Sequence, residues 1–332
     1  MRIIKSDKEL EDFCNETYKE GDENLLLEVC FIGIHFSKDM IDSIFRYKQH
    51  LSQIYIDCTF GDMPTEEECK SGDPKIYRVY FVKNVRFLRC KFLYIKLIVA
   101  SAGSWISPEG YVFEKKDSTL SDRYCRVSFI DCVGLGDISI GGRSTSVWIE
   151  GSKILIMSVN LPFFEDVTFN ILNSSIGKIL FDSSVTRRNI TNNFLSIENT
   201  TVDELSVGTT STPCLYELKQ SGTTMRSLFD DNVKRLCMKV VFFKMDLSNF
   251  NFGKTRMINR QWLFNRCNLK NTDFRSIAVR YGTSDSLSNL SFDDCENVLQ
   301  AKFPQNNNIT VGDTEKSDTG DVLVEFYPTL ED

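Results

Sequence analysis

The chain has 332 residues, of which 42% are hydrophobic and 26% are charged, and its formal net charge is −7. This composition is ordinary for a folded globular protein and excludes wholesale disorder, collagen and coiled coil. The length suits about two average domains or one elongated solenoid. The first residues lack the apolar core of a signal peptide, and no apolar run is long enough to span a bilayer. We therefore expect a cytoplasmic protein that does not enter a membrane.

The N-terminal segment carries the patterns of both helices and strands. Ser6 and Glu9 have the spacing of a capping box, which predicts a helix over 7–19. Ser37 predicts the start of a second helix, and apolar runs between and after the two helices predict strands. We therefore predict a small α/β cap over 1–80 that shields the open end of the domain that follows.

Cysteine usage argues against disulfides and against a metal site. An odd count of eleven, without a secretory signal, favours reduced thiols. The chain has two histidines and no C-x-x-C pair, so we predict no metal and no cofactor. Five cysteines share one feature, an aromatic residue three positions earlier: Cys58, Cys90, Cys132, Cys267 and Cys295.

Large apolar residues recur every five positions in two parts of the chain. This period fits neither the 3.6 residues of a helix nor the alternation of a strand. It predicts a chain that turns a corner every five residues and sends one large side chain inward on each side. The predicted core residues are Phe87, Phe92, Leu97, Phe242, Leu247, Phe252, Met257, Phe264, Leu269, Phe274 and Val279.

These runs resemble the repeats of pentapeptide-repeat proteins, in which a small residue precedes Asn or Asp, then Leu or Phe, then two polar residues. The matching pentads begin at Cys90, Met245, Phe250, Cys267 and Thr272. The resemblance covers about 85–99 and 242–281, and it implies a right-handed, four-sided β-helix of about twenty residues per coil. It also implies a bacterial or phage protein that modulates a DNA-handling or defence complex.

Between 135 and 240 the pentads give way to alternating apolar and polar residues, separated by clusters of Asn and Ser. The alternation predicts six strands, at 147–149, 154–156, 167–171, 176–181, 194–197 and 205–207. The predicted fold is therefore mainly β: a right-handed parallel β-solenoid over 81–304, which follows the cap. An acidic, partly flexible C-terminal tail over 305–332 completes the chain.

Charge is unevenly distributed along the chain. Residues 75–99 hold seven basic and no acidic residues, and 225–281 hold twelve basic against four acidic, whereas 305–332 carry a net charge of −6. Two interpretations stay open: the basic residues are solvated outward positions, or they form a surface for an anionic partner. The candidate surface residues are Arg86, Arg89, Lys91, Arg256, Arg260, Arg266, Lys270, Arg275 and Arg280.

Catalysis finds little support, because the two histidines have no obvious partners and no Walker, G-x-G-x-x-G or H-E-x-x-H motif is present. We predict a non-enzymatic protein that presents a rigid, charge-patterned surface to another protein or a protein–nucleic acid complex. Direct nucleic-acid binding and the oligomeric state stay open. One alternative is a structural phage tail, fibre or adhesin-like rod. The other is a β-helix polysaccharide lyase or hydrolase that uses Asp131, Asp137, Arg143 and Glu150.

Overall fold

The chain is mainly β, and its parallel strands form a β-solenoid, as the sequence predicted. It divides into two compact units, Met1–Val167 with Ser174–Ile176, and Thr168–Asn173 with Gly177–Asp332. The computed structural model describes residues 1–15, 28–37, 40, 52–63, 65–71, 76–81, 84–93, 95–101, 104–106, 112–114, 125–141, 145–160, 168–182, 194–207, 215–230, 237–252, 261–274, 289–304, 308–311 and 326–327.

In the first unit, two sheets of parallel strands enclose the core. The strands of the first sheet are, in order across it, Arg2–Ile4, Glu28–Ile32, Ser52–Ile56, Val85–Leu88, Cys125–Ile130 and Thr145–Glu150. The strands of the second sheet are His35–Phe36, Thr59–Phe60, Lys91–Phe92, Val133–Gly141 and Lys153–Asn160, joined by Ile76–Phe81 and Lys96–Ser101. Ser104–Ile106 and Val112–Glu114 form a separate antiparallel pair.

The helix Asp7–Asn15 begins with the predicted capping box. The backbone N–H of Glu9 donates to the Ser6 hydroxyl at 3.3 Å, and the backbone N–H of Lys5 donates to the Glu9 carboxylate at 2.7 Å. Two backbone donors that the helix itself cannot satisfy thus find side-chain partners. The hydrogen bond from Lys5 lowers the pKa of Glu9 below its ordinary value.

The same helix covers one end of the core. Leu10 and Phe13 have no exposed surface, and the Phe13 ring packs edge-on against Phe31 with 5.8 Å between centroids. The helix therefore packs its apolar side on the first coils, and the shielding role of the cap stays a prediction. A second short helix, Glu66–Ser71, follows the coil that ends near Phe60.

The predicted boundary at residue 80 falls inside one sheet. Glu28–Ile32 pairs in parallel with Ser52–Ile56, which in turn pairs with Val85–Leu88. The coils of the solenoid therefore begin before residue 81, because strands of the N-terminal segment share its hydrogen-bonded register. Most of the helix predicted to begin at Ser37 lies outside the described residues.

In-register stacking of aromatic rings fills the first unit. Tyr55 stacks on Phe87 with 5.1 Å between ring centroids, and Phe87 stacks on Phe129 at 4.9 Å. Phe60 and Phe92 form a second stack at 5.1 Å. These distances follow from the strand spacing of about 4.8 Å, which places equivalent side chains of successive coils one above the other.

The second unit repeats this arrangement. The strands of its first sheet are Thr168–Leu172, Phe194–Glu198, Leu215–Ser221, Cys237–Phe243, Gln261–Asn265, Asn289–Asp293 and Asn308–Val311. The strands of its second sheet are Ser175–Asp182, Thr201–Val207 and Thr224–Asp230. A strand overlaps each of the six segments predicted between 135 and 240, which confirms the alternation as a strand signal.

The pentads of the second unit turn as their spacing predicted. Leu247 and Phe252 are both buried five residues apart. Between them the chain bends at Asn249, whose φ of 58° lies in the left-handed region that Asn tolerates better than most residues. Buried members of the predicted core are Phe87, Phe92, Leu97, Phe242, Leu247, Phe252, Phe264, Leu269 and Phe274. Met257 and Val279 lie outside the described residues.

The C-terminal segment contributes two strands. Asn308–Val311 pairs in parallel with Asn289–Asp293, and Phe326–Tyr327 pairs with Phe303–Pro304. A single turn of 3₁₀ helix, Val298–Gln300, lies in the preceding coil. The sheet therefore continues past the predicted boundary at residue 304. In the part of the chain that the structure describes, no helix has the length and apolar character needed to cross a membrane.

Candidate interaction surface

One corner of each described coil of the first unit bends at a residue with positive φ. These corner residues are Gly33, Asp57, Arg89, Asp131 and Gly151, with φ of 68°, 53°, 51°, 53° and 59°. The coil that contains Asp57 has a second such residue, Gly61, with φ of 84°. A positive φ is uncommon outside glycine, and Asn and Asp tolerate it better than other residues. Charged side chains at the corners point to solvent, because the residue that follows each corner turns inward.

Small inward side chains follow these corners and explain the spaced cysteines. The Cys90 thiol is fully buried and donates to the carbonyls of Leu88 and Tyr55, at 3.5 and 3.4 Å. The neighbouring thiols of Cys132 and Cys58, together with burial, raise the pKa of Cys90. The Cys90 thiol therefore stays protonated and acts as a structural group.

The column continues with hydroxyls in the following coils. Ser152 is fully buried, and its Oγ accepts a hydrogen bond from the backbone N–H of Cys132 at 3.0 Å. The Oγ of Ser174 accepts from the backbone N–H of Ser152 in the same way, at 3.1 Å. Hydrogen bonds between a backbone N–H and a hydroxyl of the next coil therefore connect successive coils inside this corner.

Two of the candidate basic residues form ion pairs with the adjacent coil. Arg89 donates through Nε and Nη2 to the two carboxylate oxygens of Asp57, at 2.7 and 2.8 Å. This fork geometry lowers the pKa of Asp57 and raises the pKa of Arg89. In the second unit, Nε of Arg266 lies 3.1 Å from the Asp294 carboxylate. The charges of both arginines are therefore balanced within the protein.

The remaining candidates divide between exposed and undescribed positions. Arg86 and Lys91 are exposed in the first unit, and Lys270 is exposed in the second. The structure thus leaves three of the described candidates as exposed cations outside the two pairs above. The candidates outside the described residues are Arg256, Arg260, Arg275 and Arg280.

Sequence reasoning missed three exposed apolar side chains on two adjacent coils of the first unit. Trp148 lies in the first sheet, and Val133 and Leu155 lie in the second; the exposed fractions are 36%, 38% and 56%. Trp148 is on the outward side of its strand, and its indole N–H donates to the Glu150 carboxylate at 3.0 Å. The run from Val147 to Ile149 is apolar at every position, so the alternation of apolar and polar residues could not show which of them faces solvent.

Basic side chains lie beside these exposed residues on each sheet. On the second sheet, the register places Val133 opposite Lys91 in one neighbouring strand and opposite Lys153 in the other. On the first sheet, Arg86 lies two strands from Trp148 in the same outward row, because each is paired with Ser128. Arg126, two residues before Ser128, is also exposed.

Of the four residues proposed for a polysaccharide lyase, the structure describes the side chains of two, Asp131 and Glu150. Glu150 accepts the Trp148 hydrogen bond, and the Asp131 carboxylate lies over Gly151, where a β-carbon would otherwise be. Arg143 lies outside the described residues, as does the side chain of Asp137. Among the residues that the structure describes, no cluster of His, Cys, Asp and Glu is arranged to hold a metal ion.

Comparison with known proteins adds no relative. No protein-family model, curated protein or solved structure that was compared with the chain matches it. The resemblance to pentapeptide-repeat proteins therefore stays a prediction from the sequence.

Proposed function

We propose that this chain is a non-enzymatic interaction protein, which presents the outer side of its β-solenoid to another macromolecule as a rigid, charge-patterned surface. In its finer form, the proposal is that the protein modulates a DNA-handling or defence complex of bacterial or phage origin. That finer form depends on the resemblance to pentapeptide-repeat proteins.

The observation that supports the proposal is the contrast between the interior and the exterior of the coils. The described interior holds stacked aromatic rings, such as Phe87 on Phe129, and thiols or hydroxyls that bond to the backbone, such as those of Cys90 and Ser152. Charged side chains face outward, and those of Asp57, Arg89 and Asp131 follow one another at the corners of successive coils. Because the strands hold these side chains in place, a partner can be recognised without the entropic cost of ordering a loop.

The ion pairs favour a protein, or a protein–nucleic acid complex, over bare nucleic acid. Arg89 and Arg266 are bound to aspartates of adjacent coils, so their charges are already balanced when a phosphate approaches. Phosphate binding gains its strength from unbalanced cations that displace counterions. Arg86, Lys91 and Lys270 are then the described candidates that could attract an acidic partner.

An affinity pull-down from the native cell tests this proposal. The full chain would be compared with an Arg86→Glu/Lys91→Glu variant, and with Lys8→Glu as a charge-reversed control on the exposed side of the first helix. We expect a partner at stoichiometric level that the double variant loses and the control retains, while all three proteins melt at similar temperatures.

A gel-shift series on duplex DNA and RNA at increasing salt accompanies the pull-down. We expect no shift of either nucleic acid by the purified chain. A shift that weakens steeply with salt would contradict the preference for a protein partner, since it is typical of phosphate contacts. If every captured partner binds the double variant as well as it binds the control, the proposed surface is wrong.

A further inference from the structure

We propose that the outer face of the first sheet, in the first unit, binds an acidic protein segment that carries an aromatic or leucine side chain. The residues of this site, which we call the tryptophan face, are Arg86, Arg126, Ser128 and Trp148. The proposal rests on the proposed function, because it names the site and the partner chemistry of an interaction protein. It uses one side of one sheet and no residue of the second sheet.

Strand pairing places these four residues together on one surface. Ser128 is paired with Arg86 in one neighbouring strand and with Trp148 in the other. Arg126 lies two residues before Ser128 and is therefore on the same side of the strand. With strands about 4.8 Å apart and about 3.3 Å per residue, the Cα atoms of Arg86, Arg126 and Trp148 form a triangle with sides of about 8–10 Å. Ser128 is 5% exposed although it faces outward, as expected of a small side chain between two large ones.

The Trp148 indole is an ordered and accessible aromatic surface. Its N–H donates to the carboxylate of Glu150, which lies two residues further along the same strand. This hydrogen bond orients the ring along the strand, so little side-chain entropy is lost on binding. Trp148 is 36% exposed, and no aromatic ring or cation among the described residues packs on it. Tryptophan and arginine are among the residues most enriched at positions that dominate binding energy.

Both arginines of the tryptophan face are available to an anionic partner. Arg86 and Arg126 are exposed, and the described part of the chain holds no ion-pair partner for either of them. Their charges therefore differ from that of Arg89, which Asp57 balances. Two unbalanced guanidinium groups beside one aromatic ring are complementary to a partner that joins carboxylates to an apolar side chain.

The charges lie asymmetrically about the indole. Arg126 is paired with Ser146, two residues before Trp148, whereas Glu150 lies two residues after it. A carboxylate of the partner therefore binds on the arginine side, away from Glu150, while an apolar side chain covers the ring. Because an extended chain spans about 10 Å in three residues, the carboxylate should lie within about three residues of the apolar side chain.

The tryptophan face favours a short protein segment over other occupants. A stable dimer buries about 1,600 Å² in total, which is far more than four side chains supply, so a second copy is a poor fit. Single-stranded nucleic acid binds through several aromatic side chains, on which successive bases stack. Among the described first-sheet strands of this unit, Trp148 is the one aromatic residue that faces outward.

Selection from a library of random peptides displayed on phage, with the full-length protein as the target, tests the proposal. We expect enriched peptides in which Asp or Glu lies within about three residues of Trp, Phe or Leu. A synthetic peptide of that consensus should bind, and calorimetric titration should show a loss of affinity of about tenfold or more for Trp148→Ala. Arg126→Gln should lower the affinity about tenfold as well, because a charge-assisted hydrogen bond is lost.

Lys8→Gln is the matched control for charge, since Lys8 is an exposed cation of the same unit that lies on the first helix. We expect it to bind the consensus peptide as the unmodified protein does. Trp148→Phe should keep most of the affinity, because it keeps an aromatic ring on the same strand. All four variants should melt at the temperature of the unmodified chain, since the substituted side chains face outward.

Three results would overturn the proposal. The first is the absence of enriched peptides, or a consensus without acidic residues. The second is an equal loss of affinity for Arg126→Gln and Lys8→Gln, which would make the effect one of net charge alone. The third is displacement of the peptide by a single-stranded DNA oligonucleotide that binds more tightly, which would assign the face to nucleic acid.

These outcomes are separable from the proposed function. If Trp148→Ala and Arg126→Gln still capture the partner found by pull-down but the Arg86→Glu/Lys91→Glu variant does not, the interaction function stands and the tryptophan face is wrong. If none of these variants loses a partner, the proposed function fails together with it.

Discussion

Removal of one ring from the aromatic stack of the second unit gives a quantitative test of the solenoid core. Phe264 is 1% exposed, and its ring stacks on Phe242 and on Phe292 with 5.0 Å between centroids in each case. Backbone pairing holds the three strands in register, so the neighbouring rings cannot close over a gap. Phe264→Ala should therefore cost about 3–5 kcal/mol of unfolding free energy, in the upper part of that range.

Urea denaturation followed by tryptophan emission measures this loss, because buried Trp262 lies 6.4 Å from Phe264 and reports on the same unit. A loss of about 4 kcal/mol would lower the urea midpoint by about 2 M for an m-value of about 2 kcal/mol/M. Leu263→Ala is the matched control, since Leu263 is half-buried on the outward side of the same strand. It should cost about 1 kcal/mol or less. Equal losses for the two variants would refute the inward and outward assignment.

Three further predictions concern the corners and the cap. Gly61→Ala should lower the melting temperature more than Gly33→Ala. Both incur about 1–2 kcal/mol for a left-handed backbone, but only at Gly61 does the new methyl group meet a backbone carbonyl, that of Leu93. Equal shifts would contradict this. Ser152→Ala should cost about 1–3 kcal/mol in urea denaturation, because the backbone N–H of Cys132 loses its partner, whereas Ser152→Thr should cost less. The lowered pKa of Glu9 means that its carboxylate stabilises the fold above about pH 4.5, the ordinary value, and that this contribution is lost as the pH falls through the folded pKa. The difference in melting temperature between the unmodified chain and Glu9→Ala should therefore shrink below pH 4.5, and a constant difference would count against the capping box.

Spacing alone predicted much of the core. Large residues five positions apart, such as Phe87 and Phe92, fit neither the helix period nor the strand period. Their spacing therefore predicted that both face one interior, and both are buried. The capping box of Ser6 and Glu9 was also readable, because it depends on local hydrogen bonds and on nothing distant in the chain.

The corners could not be predicted in the same way. Arginine has no preference for the left-handed region, so the residue type does not mark Arg89 or Arg266 as a corner residue. Their position did carry a signal, because each directly precedes one of the five cysteines that follow an aromatic residue by three positions. Their ion pairs with Asp57 and Asp294 depend on coil length, which sets the residue that lies one strand away. That length is 20 residues from Cys132 to Ser152 and 22 from Ser152 to Ser174. A fixed repeat length therefore could not predict which residues of neighbouring coils lie opposite each other.

Contacts on the outer side of the coils could not be predicted for a related reason. Charge counts along the chain do not show that Arg89 and Arg266 pair with aspartates of neighbouring coils. The exposure of Trp148 was not predictable because Trp148 follows an inward valine and precedes an inward isoleucine, and only the strand's orientation shows which of them is exposed.

Site-specific photo-crosslinking in the native cell tests the central claim, that the protein works by holding another protein on the outer side of its coils. A benzophenone amino acid would replace Val133, which leaves Trp148 in place, and a control protein would carry it at Met63. We predict an adduct at position 133 with one protein and no such adduct at position 63. Equal adducts at both positions, or adducts with nucleic acid, would contradict the claim.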